Sequence, residues 1–94
     1  MKELDFRNWL NKNNISKKMQ SDFISRIKQI EIKLSNIDYE YAKDKCSKLL
    51  EYFSSGCKNP TYTNSFEFKN TSTQYSVLKY AIKKYCSFLE SEFN

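Results

Sequence analysis

The chain has 94 residues, enough for one small folded domain and too few for a second. Sixteen Lys and Arg against eleven Asp and Glu give a net charge of +5, and no histidine is present, which removes the commonest general base and metal ligand. Because 39% of the residues are hydrophobic, we expect a folded chain rather than a disordered one. Because histidine is missing, we expect a protein that is not an enzyme and that holds no metal or cofactor.

The scarcity of turn-forming residues favours helices over strands. The sequence contains one glycine, Gly56, and one proline, Pro60. An all-β domain of this length needs many tight turns built from such residues. We therefore expect an all-α fold, a four-helix bundle, that forms a single domain over residues 1–94.

The first two helices are predicted by apolar residues that recur on one side. A short helix is predicted over residues 3–11 from Leu4, Phe6, Trp9 and Leu10. After a polar turn, Ser16 is a natural N-cap for a second helix over residues 17–34. Its predicted core stripe recurs at steps of three and four residues and consists of Met19, Phe23, Ile27, Ile30 and Leu34.

Two further helices are predicted, with an irregular segment between them. The third helix covers residues 39–54 and is capped by Gly56; its predicted core positions are Tyr39, Ala42, Cys46, Leu49, Leu50 and Phe53. Residues 57–71 lose the helical period, which predicts a loop or a small hairpin with Tyr62, Phe66 and Phe68. The last helix begins near Ser72, and its core stripe is Tyr75, Leu78, Ile82, Tyr85, Leu89 and Phe93.

Cysteine usage indicates a reducing compartment. The three cysteines, Cys46, Cys57 and Cys86, leave one thiol over in any disulfide scheme. The first residues do not resemble a secretory signal, and no apolar run is long enough to cross a bilayer. We expect a cytoplasmic protein without a membrane partner, in which Cys46 and Cys86 occupy core positions.

Lysines and small hydroxyl residues collect on the outer sides of two predicted helices. On the second helix they are Lys17, Lys18, Ser21, Ser25 and Lys28. On the last helix the corresponding side carries Ser76, Lys79, Tyr80, Lys83 and Lys84. Such residues contact the phosphates of a duplex, and acidic residues fall mostly elsewhere in the chain. An ordinary solvated surface has the same composition, so the pattern leaves both interpretations open.

Two stretches of the chain resemble the N-terminal SAM-like, core-binding domain of phage integrases and other tyrosine recombinases. They are FRNWLNKNNISKKMQSDFISRIKQIE, from Phe6 to Glu31, and YSVLKYAIKKYCSFLE, from Tyr75 to Glu90. The matching features are the WL dipeptide of the first helix, the central Phe23 of a Ser-capped second helix, and the spacing of apolar residues in the last. A similar helical module is found at the N-terminus of some restriction-type proteins.

The resemblance implies a small helical bundle that clamps one side of duplex DNA with its second and last helices. Carried over by position, the DNA-facing residues are the ten outer-side residues of those two helices. The family's catalytic domain has no counterpart in these 94 residues. The basic residues are mainly Lys, whereas guanine is usually recognised by two parallel hydrogen bonds from Arg. The sequence therefore predicts DNA binding with little sequence preference.

Two other functions fit the same sequence. One is a small protein-interaction module of a phage or mobile element, for example an inhibitor of a host or defence enzyme. Its basic sides would meet an acidic surface, and its anchors would be Tyr62, Phe66 and Phe68. The other is a helical homo-oligomer, for which concentration-dependent sedimentation is the test.

Overall fold

In a computed structural model, the described residues, 1–54 and 72–93, form five α-helices and no strand. The helices are α1 (Glu3–Lys12), α2 (Lys17–Lys33), α3 (Ile37–Asp44), α4 (Ser47–Ser54) and α5 (Ser72–Phe93). The all-α bundle expected from the sequence is confirmed. The predicted loop or hairpin, and with it Gly56, Cys57, Tyr62, Phe66 and Phe68, lies outside the described residues.

Two helices begin where side-chain caps are available. Ser16 Oγ accepts a hydrogen bond from the Met19 backbone N–H at 3.3 Å, and Asn36 Oδ1 accepts one from the Tyr39 N–H at 2.9 Å. Each bond satisfies a backbone donor that has no partner within its own helix. The turn before α2 includes Asn14 at φ 63°, a left-handed conformation that asparagine tolerates well. The prediction of Ser16 as the N-cap is thus confirmed.

The segment predicted as one helix over residues 39–54 is two helices. Lys45 and Cys46 adopt φ values of 56° and 63° and separate α3 from α4. The carboxylate of Asp44 then accepts hydrogen bonds from the backbone N–H groups of Ser47, at 3.1 Å, and Lys48, at 3.3 Å. Asp44 therefore caps the start of α4 while it ends α3.

The break brings two apolar faces to the same core. On one continuous helix, Ile37 and Phe53 would lie about 160° apart around the axis, yet both are buried. Tyr39 and Ala42, which were predicted as core, are exposed instead. That prediction was wrong because it treated residues 39–54 as one continuous helix with one buried side, whereas α3 and α4 each bury a side of their own.

The core is built from one side of every helix. α5 packs against α2 and α4, and α1 packs against α2. Most predicted positions of the two long helices are confirmed, since the buried side chains include Phe23, Ile27, Ile30, Leu78, Ile82, Tyr85 and Leu89. α1 contributes Phe6 and Leu10, with Trp9 partly buried against them. The side chain of Phe93 lies outside the described residues.

Some apolar predictions fail because the buried side of α2 is shifted toward α1. Met19 is 43% exposed, whereas Gln20 and Ile24 are buried. The Gln20 amide is satisfied by donating to the Ile15 carbonyl oxygen at 2.8 Å, so a polar residue can occupy a core position. Leu4 was also predicted on the apolar side of α1, and it is 71% exposed.

A polar network joins the N-terminus to α2, α3 and α5. The Met1 ammonium lies 2.9 Å from Glu31 Oε2 and 2.9 Å from Asp38 Oδ2. The Tyr85 hydroxyl donates a hydrogen bond to Asp38 Oδ1 and accepts one from the Lys2 backbone N–H at 2.9 Å. Burial opposes the charge on the Met1 ammonium, but the hydrogen bonds to Glu31 and Asp38 outweigh it, so its pKa is raised. Burial, together with the bond to Asp38, raises the pKa of Tyr85.

Candidate nucleic-acid interface

An open cavity on α5 is bordered by four of the residues predicted to bind DNA. Its volume is about 320 Å³, and the described residues that line it are Ser76, Lys79, Tyr80 and Lys83. Steps of three and four residues bring these side chains to one side of the helix. Two lysines and two hydroxyl-bearing residues therefore line the same open space. That set of donors is suited to anionic oxygens.

Two of the predicted α5 residues also contact neighbouring helices. The Tyr80 ring lies against Phe23 of α2, with ring centroids 5.6 Å apart, and Tyr80 remains 55% exposed. Lys84 Nζ lies 5.8 Å from the centroid of the Trp9 ring of α1, within the range of a cation–π attraction. Lys84 is thus directed toward α1, while Tyr80 stands between the cavity and α2.

All five predicted α2 residues are exposed, namely Lys17, Lys18, Ser21, Ser25 and Lys28. One of them is also ion-paired, since Lys28 Nζ lies 2.9 Å from Glu3 Oε1 of α1. The hydrogen bond from Lys28 holds the pKa of Glu3 below its usual value. The charge of Lys28 is therefore already matched within the fold, which weakens its case as a phosphate contact.

The α2 and α5 sets do not form one continuous patch. Phe23 faces α5, whereas Lys28 is paired with α1, and the two residues lie about 140° apart around α2. Lys18 and Ser25 occupy the outward side of the helix between them. A duplex that reaches both helices must therefore pass over the outer side of α2.

Arg26 occupies the side of α2 that lies toward α5. It follows Phe23 by three residues, so both project from the same side of the helix, and its side chain is partly buried. The candidate set from the sequence omitted Arg26 because it falls at the flank of the basic side. The sequence did contain a sign of this position, because Arg26 is one helical turn after the predicted core residue Phe23. A residue one turn from a side chain that packs on a second helix lies on the same side and close to that second helix.

The acidic residues of α3 are engaged within the fold. Asp38 binds the Met1 ammonium, and Asp44 caps α4. Glu40, which is 1% exposed, accepts hydrogen bonds from Ser35 Oγ at 3.1 Å and Lys43 Nζ at 3.3 Å. By contrast, α5 carries three lysines and no acidic residue from Ser72 to Leu89. The acidic residues of α5 are therefore confined to its C-terminal end, and the part of the helix that carries the lysines has none.

Two kinds of feature, metal-ligand groups and membrane-spanning helices, are absent from the described residues. Within residues 1–54 and 72–93, no group of three or more His, Cys, Asp or Glu side chains is placed to hold a metal ion. None of the helices in that part of the chain is long and apolar enough to cross a membrane. The candidate site consists of lysine and hydroxyl side chains on α2 and α5.

Comparison with known proteins adds no relative. No protein-family model matches the chain, and no curated protein or solved structure matches it at a significant level. The relation to the core-binding domain of tyrosine recombinases stays a prediction from the sequence.

Proposed function

We propose that this protein is a DNA-binding helical module, without catalytic activity of its own, that docks on duplex DNA through the outer sides of α2 and α5. The observation that carries the proposal is the α5 cavity, which Lys79 and Lys83 line together with Ser76 and Tyr80. The resemblance of the sequence to DNA-clamping helical domains supports the same two helices. A cytoplasmic setting is part of the proposal, and it fits the free thiols of Cys46 and Cys86.

The mechanism is electrostatic docking on phosphates. Lysine ammonium groups are point charges that attract phosphate oxygens, and hydroxyl groups add hydrogen bonds that position the backbone. Lys17 and Lys18 on α2 extend the contact beyond the α5 cavity, and Arg26 lies between the two helices' surfaces. Base edges are read mainly by paired hydrogen bonds from Arg, Asn and Gln, and the proposed surface is mainly Lys and Ser. We therefore expect weak sequence preference.

Salt dependence tests this mechanism directly. A labelled duplex of about two helical turns is titrated with the protein at several salt concentrations, and binding is followed by fluorescence anisotropy. Neutralising about four to six phosphates gives a log–log slope of roughly −4 to −5. Binding of similar strength to unrelated duplex sequences is expected. Lack of binding to any duplex at low salt would refute the proposal.

One observation favours a second candidate, a protein-interaction module. Ile32 is 83% exposed on the outer side of α2, one turn beyond Lys28, and Leu4 on α1 is 71% exposed. Exposed apolar side chains that gather into one patch mark protein interfaces. Tyr62, Phe66 and Phe68, the anchors predicted for such a partner, lie outside the described residues. A failure of duplex binding would shift the assignment to this candidate, whose partner would carry an acidic surface.

A further inference from the structure

Cys46 and Cys86 meet where the α3–α4 junction packs against α5. Cys46 is fully buried, and its Sγ lies 3.8 Å from the Ile37 carbonyl oxygen. Cys86 is partly exposed, and its Sγ lies 4.0 Å from the carbonyl oxygen of Lys45, the residue before Cys46. Because Lys45 directly precedes Cys46 in the chain, this contact places the Cys86 thiol beside the α3–α4 junction that carries Cys46. Sequence reasoning placed both cysteines in the core, but nothing in the sequence showed that they are neighbours.

The contact makes the two thiols chemically unequal. The neighbouring Cys46 thiol lowers the pKa of Cys86, although burial and the nearby Glu90 oppose this. The proximity of Cys86, with burial, raises the pKa of Cys46. Glu40 and Asp44 add to that rise. Cys86 is thus the more nucleophilic and more accessible sulfur, and Cys46 is a protonated thiol held beside it.

The backbone at Cys46 is shaped to present its side chain to α5. Lys45 and Cys46 are consecutive non-glycine residues with positive φ, an arrangement that costs free energy at each residue. It ends α3 at a residue whose carbonyl oxygen lies 4.0 Å from Cys86 Sγ, and the Cys46 side chain that follows is fully buried. A reactive thiol with a second thiol nearby is the arrangement found in proteins that form reversible disulfides.

We propose that Cys46 and Cys86 are a redox-modification site whose co-reactant is a small disulfide of the oxidised glutathione class. The Cys86 thiolate attacks one sulfur of that disulfide, forming a mixed disulfide and releasing one thiolate. Cys46 then attacks the Cys86 sulfur and forms the Cys46–Cys86 bond, while the second small thiolate leaves and takes up the Cys46 proton. The protein is oxidised by two electrons, and the small disulfide is reduced to two thiols.

The new bond would link α5 to the α3–α4 junction. It closes a long chain segment, and such cross-links stabilise mainly by restricting the unfolded chain. Oxidation is therefore expected to raise the melting temperature by about 5 °C or more. Neither cysteine belongs to the proposed DNA-binding set, so the proposal stands independently of DNA binding.

The test uses the full chain with Cys57→Ser, so that the third thiol cannot pair with either site. The protein is incubated with oxidised and reduced glutathione at a series of ratios, remaining thiols are alkylated, and the products are analysed by intact mass and peptide mapping. The expected product has lost two hydrogens, carries no glutathione, and links the peptides of Cys46 and Cys86. Adding Cys46→Ala, which keeps the site small and apolar, should stop the reaction at a mixed disulfide on Cys86.

Adding Cys86→Ala instead should leave Cys46 unmodified over the same time, because Cys46 is buried and protonated. Circular dichroism confirms that each variant is folded. The proposal is overturned if folded Cys57→Ser protein keeps both thiols open to alkylation under strongly oxidising ratios. It is also overturned if glutathione stays attached to Cys86 with Cys46 present.

Discussion

The ring of Tyr80 on α5 lies against the ring of Phe23 on α2, with centroids 5.6 Å apart and planes inclined by 58°. Phe23 is buried, whereas Tyr80 is 55% exposed and lines the cavity that contains Lys79 and Lys83. One aromatic side chain therefore links the two long helices and borders the proposed phosphate site. The packing of α2 against α5 and the position of the lysines are coupled through it.

Two substitutions of Tyr80 separate the contribution of its ring, which packs on Phe23, from that of its hydroxyl group. Tyr80→Phe keeps the ring contact with Phe23, so the free energy of unfolding should change by less than about 0.5 kcal/mol. Tyr80→Ala removes the ring and should lower it by about 1 kcal/mol, the range of an aromatic pair with partial burial. Urea unfolding measures both values. Equal stability of the two variants would show that the ring contact contributes nothing.

Tyr85→Phe should destabilise the fold more than Tyr80→Phe does. The Tyr85 hydroxyl serves Asp38 as donor and the Lys2 N–H as acceptor, and its loss leaves both with one partner fewer. We expect a cost of about 1–3 kcal/mol. Tyr80→Phe, which removes the same atom from an exposed ring, is the matched control. Indistinguishable unfolding curves for the two variants would contradict the role of the network.

Acetylation of the N-terminus should weaken the fold in a pH-dependent way. The pKa of the Met1 ammonium is raised from 8.0 by its bonds to Glu31 and Asp38. Its stabilising contribution is therefore fully present below the unfolded value and is lost as pH rises through the folded pKa. At pH 7 the acetylated protein should be less stable by about 1–3 kcal/mol. The difference should shrink as the pH rises through the folded-state pKa. A difference that grows instead would show that the ion pair is not its source.

Asp44→Ala should destabilise α4. The Asp44 carboxylate accepts bonds from the Ser47 and Lys48 N–H groups, and loss of a helix cap costs about 1 kcal/mol. Glu51→Ala, at an exposed position within α4, is the control and should change the free energy of unfolding by less than about 0.5 kcal/mol. If both substitutions have the same effect in urea unfolding, Asp44 does not act as a cap.

Hydrophobic spacing predicted the long helices well. Phe23, Ile27 and Ile30 on α2, and Leu78 and Ile82 on α5, recur with the helical period and are buried as expected. Ser16 was identifiable as a cap because few residue types satisfy the free N–H groups of a helix start.

Features that depend on tertiary contacts could not be predicted in this way. The break at Lys45 and Cys46 depends on how α3 and α4 pack against the rest of the core. Neither residue type favours a left-handed conformation, so the sequence did not indicate the break. The pairing of Lys28 with Glu3 joins α2 to α1, and Cys86 of α5 lies beside the α3–α4 junction. Spacing along one helix carries no information about such neighbours, so the sequence predicted exposure of the candidate residues but not which of them meet.

Charge reversal on α5 tests the central proposal most directly. Lys79→Glu with Lys83→Glu lowers the net charge from +5 to +1. Lys45→Glu with Lys48→Glu, at the α3–α4 junction, makes the same change in net charge at residues outside the proposed DNA-binding set. Circular dichroism first establishes that both variants are folded. Anisotropy titrations of the labelled duplex then compare their affinities at equal salt.

The α5 pair should weaken binding by about tenfold or more and make the log–log salt slope shallower by about two, since two phosphate contacts are lost. The control pair should weaken binding by no more than about threefold, through the long-range effect of net charge alone. Equal losses in the two variants would contradict a DNA-binding site on α5.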